Sequence, residues 1–200
     1  MRACSGSTAP ETMQLVSGCP CSAATKRGTH AWRLAQFKAV QHATERPMNT
    51  PCALLLRALA DTGPGETVDD PEGSLGLLKA YGYAVDSAEG GPVVTDLGRR
   101  YLRAREELRW RAWGEVVSVD LTARTATAVV SGFNAGGAVT VLLDLLLAGT
   151  GLDVVRLTGT RLEAEANCHA ETADDLVLTK IRVVEPLRDG APERGVPRAE

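Results

Sequence analysis

Aromatic side chains are scarce in this chain: three Trp, three Tyr and two Phe make up 4% of 200 residues. A protein that holds bases or sugars by ring stacking has few platforms to draw on here. Histidine is equally sparse, with only His30, His42 and His169, so catalysis through a histidine base has little material. Long apolar runs are missing as well. The richest, Val139 to Ala148, contains Asp144 and falls well short of the ~18 residues of a membrane-spanning helix. The five cysteines, Cys4, Cys19, Cys21, Cys52 and Cys168, are odd in number and lack framework spacing, which argues against a disulfide scaffold and for a reducing cytoplasm. The N-terminus has no apolar core before a small-residue cleavage site, so no secretory signal is read there. Cys19-Pro20-Cys21 and Cys168-His169 lack metal-site spacing. Gly63-Pro64-Gly65 and Gly136-Gly137 lack the lysine of a phosphate-binding loop. No metal, cofactor or catalytic group is therefore expected.

A basic excess is absent too, and its distribution matters more than its total. The net charge is −3, yet residues 1–47 hold six Lys/Arg against two Asp/Glu. Residues 48–109 hold seven against ten and residues 110–187 six against ten, with the rest balanced. Proteins that coat duplex DNA concentrate positive charge, because phosphate neutralisation supplies most of their affinity. Two mildly acidic segments argue against that role.

What is present divides the chain. Residues 1–47 are rich in Ser, Thr, Ala and Gly and show no sustained periodicity before about His30. They are expected to be a disordered or non-native extension, with one or two helical turns at most over Trp32 to Val40. From Met48 the signals sharpen. Thr50-Pro51 opens a helix over Cys52 to Ala60, Asp70-Pro71-Glu72 opens a second toward Tyr81, and Tyr83–Asp86 with Pro92–Thr95 flank a turn as a small hairpin. Thr95 or Asp96 caps a further helix to about Arg109, with Leu97, Tyr101, Leu102 and Leu108 as its apolar stripe. Helix, hairpin, then Val94-Thr95-Asp96-Leu97-Gly98-Arg99-Arg100 resembles the second half of a winged-helix domain over residues 48–109. The ten residues 61–70 leave little room for a third helix before the wing. The helix in the recognition position has Lys79 as its only cation.

Beyond Trp113 the chain reads as strands: Gly114–Asp120, Arg124–Val130, Asp153–Gly159 and Leu176–Pro186, rich in β-branched residues and bounded by turns. Their order and spacing resemble the OB-fold of the nucleic-acid-binding type, a small five-stranded barrel, over residues 110–187. The fold class expected is thus α+β: a winged-helix-like segment followed by an OB-like β-barrel, and a disordered tail over 188–200. The resemblance implies a nucleic-acid-binding accessory protein without catalysis, taking single-stranded DNA or RNA, or structured nucleic acid, on the barrel face. A protein–protein assembly module is the alternative. Leu142–Ala148 with Leu178–Ile181 also resembles the central helix and a strand of OsmC-type thiol peroxidases, but that helix carries no cysteine and so no peroxidatic nucleophile.

The candidate site residues follow from strand alternation. Arg156, Lys180 and Arg182, with Thr125 and Thr127, share the polar side of the presumed strands, and Arg124 sits at a strand start. On such a face cations contact the backbone and aromatics stack on bases; as solvated outward positions the same residues need no ligand. Phe133, in the glycine-rich loop 131–137, is either a stacking ring or a plug for the barrel end. Trp110 and Trp113 are expected to pack the two segments together. Arg99 and Arg103 share one helical face and are the cationic candidates of the first segment.

Overall fold

The computed structural model describes residues 26–62, 66–88, 90–134 and 136–184. The expected tail, 188–200, and the first 25 residues lie outside them. Among these residues the fold is mixed α+β, with six helices, a two-stranded hairpin and a five-stranded antiparallel sheet. Two apolar cores organise it.

The first core belongs to the helices α1 (His30–Glu45), α2 (Thr50–Asp61), α3 (Leu75–Ala80) and α4 (Asp96–Glu106) and to the hairpin β1 (Ala84–Asp86) and β2 (Pro92–Val94). Helix α1 exceeds the one or two turns expected over Trp32 to Val40: a 16-residue helix starts at His30. Thr29 caps it, its hydroxyl accepting from the Trp32 amide, and Gln36, Ala39, Val40 and Ala43 form one buried stripe at helical spacing. Three of those four are small or polar, so the stripe carries little hydrophobic signal in sequence. Alanines do let α1 and α4 approach closely, and the two helices pack extensively. With α1 included, three helices precede the hairpin. Helix α2 is capped by Asn49, whose side chain accepts from the Cys52 amide, one residue earlier than read from Thr50. Thr95 caps α4 through the Gly98 amide. That helix stops at Glu106, which leaves Leu108 exposed rather than on its apolar stripe. Gly98 is required there: a Cβ would sit 2.4 Å from the Tyr83 carbonyl oxygen.

The second core lies beneath the sheet of β3 (Trp110–Asp120), β4 (Thr125–Val130), β5 (Ala138–Leu142), β6 (Arg161–Ala166) and β7 (Leu178–Val183), hydrogen-bonded in the order β5-β4-β3-β6-β7. Inward residues alternate along the strands, as in Ala126, Ala128 and Val130 of β4 and Leu162, Ala164 and Ala166 of β6. Helices α5 (Leu143–Thr150) and α6 (Val154–Leu157) cover that face with Leu146 and Leu157; burying each such leucine contributes about 1.5–3 kcal/mol. Gly149 brings α5 against β7, where a Cβ would meet the Ile181 carbonyl oxygen at 2.7 Å.

Two expectations change here. The run Asp153–Gly159 is a short helix, not a strand: Val154 and Leu157 face the core at helical spacing while Val155 points to solvent. Local β propensity is overridden because only this turn seats Leu157. The fourth strand is instead Arg161–Ala166. The sheet, moreover, is not closed into a barrel. Its edges β5 and β7 share no pairing among the described residues, and α1 lies against both of them. Arg33 of α1 donates to Asp174 at 2.6 Å and to the Thr140 carbonyl at 3.5 Å, and Arg27, just before it, bonds Thr172 and Asp175. The helix thus bridges the open edges with charge-assisted bonds.

Candidate functional site

The outer face of the sheet gathers an exposed aromatic ring with several cations. Ala112 and Val116 of β3 point into the core, so Arg111, Trp113 and Glu115 point outward. Register then sets the neighbours. Trp113 lies opposite Glu163 of β6, which lies opposite Arg182 of β7, giving one row across three strands; Arg111 lies opposite Glu165 in the next. Trp113 is 52% exposed, and its main chain is fixed by Ser131, whose amide donates to the Trp113 carbonyl at 2.7 Å and whose hydroxyl accepts from the Trp113 amide at 3.0 Å.

A bulge in β7 sets the remaining cations. Between the pairs Glu163–Arg182 and Glu165–Thr179 the register shifts by one residue, and Lys180 takes up the slack at φ +51°. Leu178 and Ile181 therefore both face inward, against strict alternation, while Lys180 and Arg182 both face out. Lys180 donates to Glu165 at 2.8 Å, Arg182 Nε to Glu163 at 2.9 Å, and Arg111 Nε lies 3.0 Å from the same Glu163 carboxylate. Two guanidiniums thus share one carboxylate. Each guanidinium carries five donors, so donors remain open to a phosphate; Arg111, Lys180 and Arg182 are set against Glu163 and Glu165, while Glu115 lies opposite Arg161.

The structure brings Lys180 and Arg182 together as expected and adds Trp113 and Arg111. The other sequence candidates lie elsewhere. Phe133 is only 4% exposed and belongs to the core under the sheet, so it offers no ring to a base at the surface. Arg124 ends the β3–β4 turn, its Nη2 donating to both carboxylate oxygens of Asp144 of α5 at 2.9 Å. Arg156 is exposed on α6 and off the sheet face, because the strand read there is a helix. Arg99 and Arg103 are exposed on α4, beside the other core. Trp110 packs partly buried against the core, edge-on to His169 at 4.6 Å. Trp113, expected to pack the two segments together, is exposed on the sheet instead; starting β3 at Trp110 rather than Gly114 places it on the polar parity.

A second charged cluster sits at the α4–β3 junction. Arg100 is 1% exposed and its Nη1 donates to Glu107 at 2.6 Å. The Arg109 side chain, 7% exposed, lies 4.0 Å from the same carboxylate and donates through Nη2 to the carbonyls of Glu165 and Val177 and to the Thr179 hydroxyl. Burial pulls the Arg109 guanidinium below its ordinary pKa, opposed by Glu107. Burial likewise raises the nearby Cys168 thiol, which disfavours a reactive thiolate. No group of three or more His, Cys, Asp or Glu side chains is placed to hold a metal among the described residues, and no described helix is long and apolar enough to cross a membrane.

Compared with known proteins, the chain matches no family model, no curated protein and no solved structure.

Proposed function

We propose that this protein binds single-stranded nucleic acid on the outer face of its five-stranded sheet, as an accessory module that performs no reaction of its own. The observation that carries the reading is Trp113, an indole open to solvent in a row with Glu163 and Arg182 and flanked by Arg111. Base stacking on such a ring contributes about 1–3 kcal/mol per base and tolerates any sequence. Arg111, Arg182 and Lys180 supply the backbone contacts. The strand order, with α5 and α6 inserted between the third and fourth strands of the sheet, supports an OB-like reading of a partly open barrel, an architecture that binds oligonucleotides. Three helices, a hairpin and a following helix support the winged-helix-like reading of the first core. The acidic balance of residues 48–187 favours stacking on single strands over electrostatic coating of duplex.

The test is fluorescence anisotropy of labelled single-stranded DNA, single-stranded RNA and duplex against the full chain at low and moderate salt. Trp113→Ala is expected to weaken single-strand binding about 5- to 150-fold, the range that one stacked base spans. Arg182→Ala is expected to reduce the salt slope by about 0.7 if one phosphate contact is lost. Binding that ignores Trp113→Ala, or no binding to ~100 μM at low salt, where non-specific contacts are detectable, would overturn the proposal.

A further inference from the structure

Helix α2 carries an apolar stripe that its own core leaves uncovered. Leu56 and Leu59 turn fully inward, whereas Leu54 is 65% exposed beside Pro51 and Ala58. Segment 69–74 lies against this stripe, and together they form an open groove of about 370 Å³, a size within the usual range of ligand pockets. The floor is Pro51, Leu54, Leu55 and Ala58, and the rim is acidic, with Asp69, Asp70 and Glu72 and no cation among the lining residues. Asp70 is committed to the fold: its two carboxylate oxygens accept from the amides of Ser74 and Leu75 at 2.7 and 2.8 Å. That bond pair holds the rim in place ahead of α3. Asp69 and Glu72 make no side-chain hydrogen bond or ion pair among the described residues, so their charge faces whatever enters.

We propose that this groove docks a basic amphipathic helix of a partner protein. An apolar residue of that helix seats on Leu54, and Lys or Arg on either side of it meets Asp69 and Glu72. Charge decides the sign of the partner: three carboxylates around an apolar floor repel an oligonucleotide and attract a cationic peptide. Backbone chemistry decides its form. One wall is a helix whose N–H and C=O groups are spent internally, and the other is not a strand, so neither offers an edge for an added strand; apolar contact by a helix face is the mode that remains. This surface belongs to the first core, and its occupant is independent of anything bound on the sheet.

The experiment is isothermal titration of the full 200-residue chain with a synthetic helical peptide of Leu and Lys at amphipathic spacing, and with a matched Leu and Glu peptide. The Leu/Lys peptide is expected to bind and the Leu/Glu peptide not to. Leu54→Asp, and separately Asp69→Lys with Glu72→Lys, are each expected to weaken binding about tenfold or more, as loss of an interface anchor does. Leu54 is exposed, so its variant keeps the fold. Glu171→Lys, a reversal outside the groove, leaves binding within about twofold, as expected of a position outside the interface. Equal binding by the Leu54 variant, or an equal effect of Glu171→Lys, overturns the site. Self-association of the wild-type chain that Leu54→Asp abolishes overturns the assigned occupant in favour of a second copy.

Discussion

Replacing Glu107 by glutamine removes the one carboxylate that lies between two buried guanidiniums. Arg100 is bonded to it at 2.6 Å and is almost wholly inaccessible, and Arg109 lies 4.0 Å from its other oxygen. Among the described residues Arg100 Nε and Nη2 and Arg109 Nε and Nη1 find no hydrogen-bond partner, and beyond Glu107 the carboxylate of Glu165 alone adds an opposing charge near Arg109. Removing one partner of a buried ion pair costs about 3–5 kcal/mol. Two features lower that figure. Glu107 is itself partly exposed, and Arg109 keeps its bonds to Glu165, Val177 and Thr179. A loss of about 2–3 kcal/mol is therefore expected for Glu107→Gln. The assay is urea unfolding followed by tryptophan fluorescence, because Trp110 stands one residue beyond Arg109; with a slope of about 2 kcal/mol/M the midpoint falls by roughly 1–1.5 M. Adding Arg100→Met to the glutamine variant is expected to recover much of the loss, because an apolar chain of similar reach leaves no unpaired charge there. A shift below about 0.5 kcal/mol for Glu107→Gln, the size of an ordinary surface change, would refute the claim that this carboxylate holds the junction together.

Gly98→Ala is expected to destabilise the fold by about 1–3 kcal/mol in thermal unfolding, although alanine gains about 1 kcal/mol in helix propensity. The new methyl would clash at 2.4 Å with the Tyr83 carbonyl and at 2.8 Å with Val94; an unchanged or higher Tm would show that α4 can retreat. Stability should also fall as pH drops through about 6.5, the ordinary histidine pKa, because burial lowers the His42 pKa. Its Nδ1 meets the Tyr83 hydroxyl at 2.8 Å, among the rings of Tyr81, Tyr83 and Tyr101. The unfolded chain takes up the proton first, so the stabilising difference is full above that pH and lost below it. Comparing urea midpoints at neutral and acidic pH for wild type and His42→Asn isolates this contribution from that of the carboxylates; identical slopes would count against it.

Much of the local structure is legible in residues alone. The hairpin around 84–94, the Thr95 cap and the strands β3, β4 and β7 follow from alternation, turn glycines and capping side chains, because each depends on neighbours a few positions away. Three features are not legible in that way. Helix α1 presents alanines to its partner, so its burial leaves only a faint periodic signal. The run at 153–159 has strand-forming residues but is turned into α6 by the need to seat Leu157 in a distant core. The bulge at Lys180 shifts the parity of β7 for a reason that lies across the sheet, at Glu163 and Glu165.

The candidate site divides along the same line. Lys180 and Arg182 are recognisable as outward cations in one strand, and composition alone establishes how few aromatic rings are available to join them. That Trp113 is the exposed ring, that Arg111 and Arg182 share Glu163, and that Phe133 is buried depend on register between strands far apart in the chain. Side-chain type and short-range spacing are properties of the chain; which face a residue shares, and with which charge, is set by hydrogen-bonded pairing and by the core that the pairing encloses. Composition and local spacing suffice for an α+β chain with few aromatic rings and an acidic balance. That the sheet stays open among the described residues depends on long-range packing, because α1 rather than a strand pairing lies against both β5 and β7.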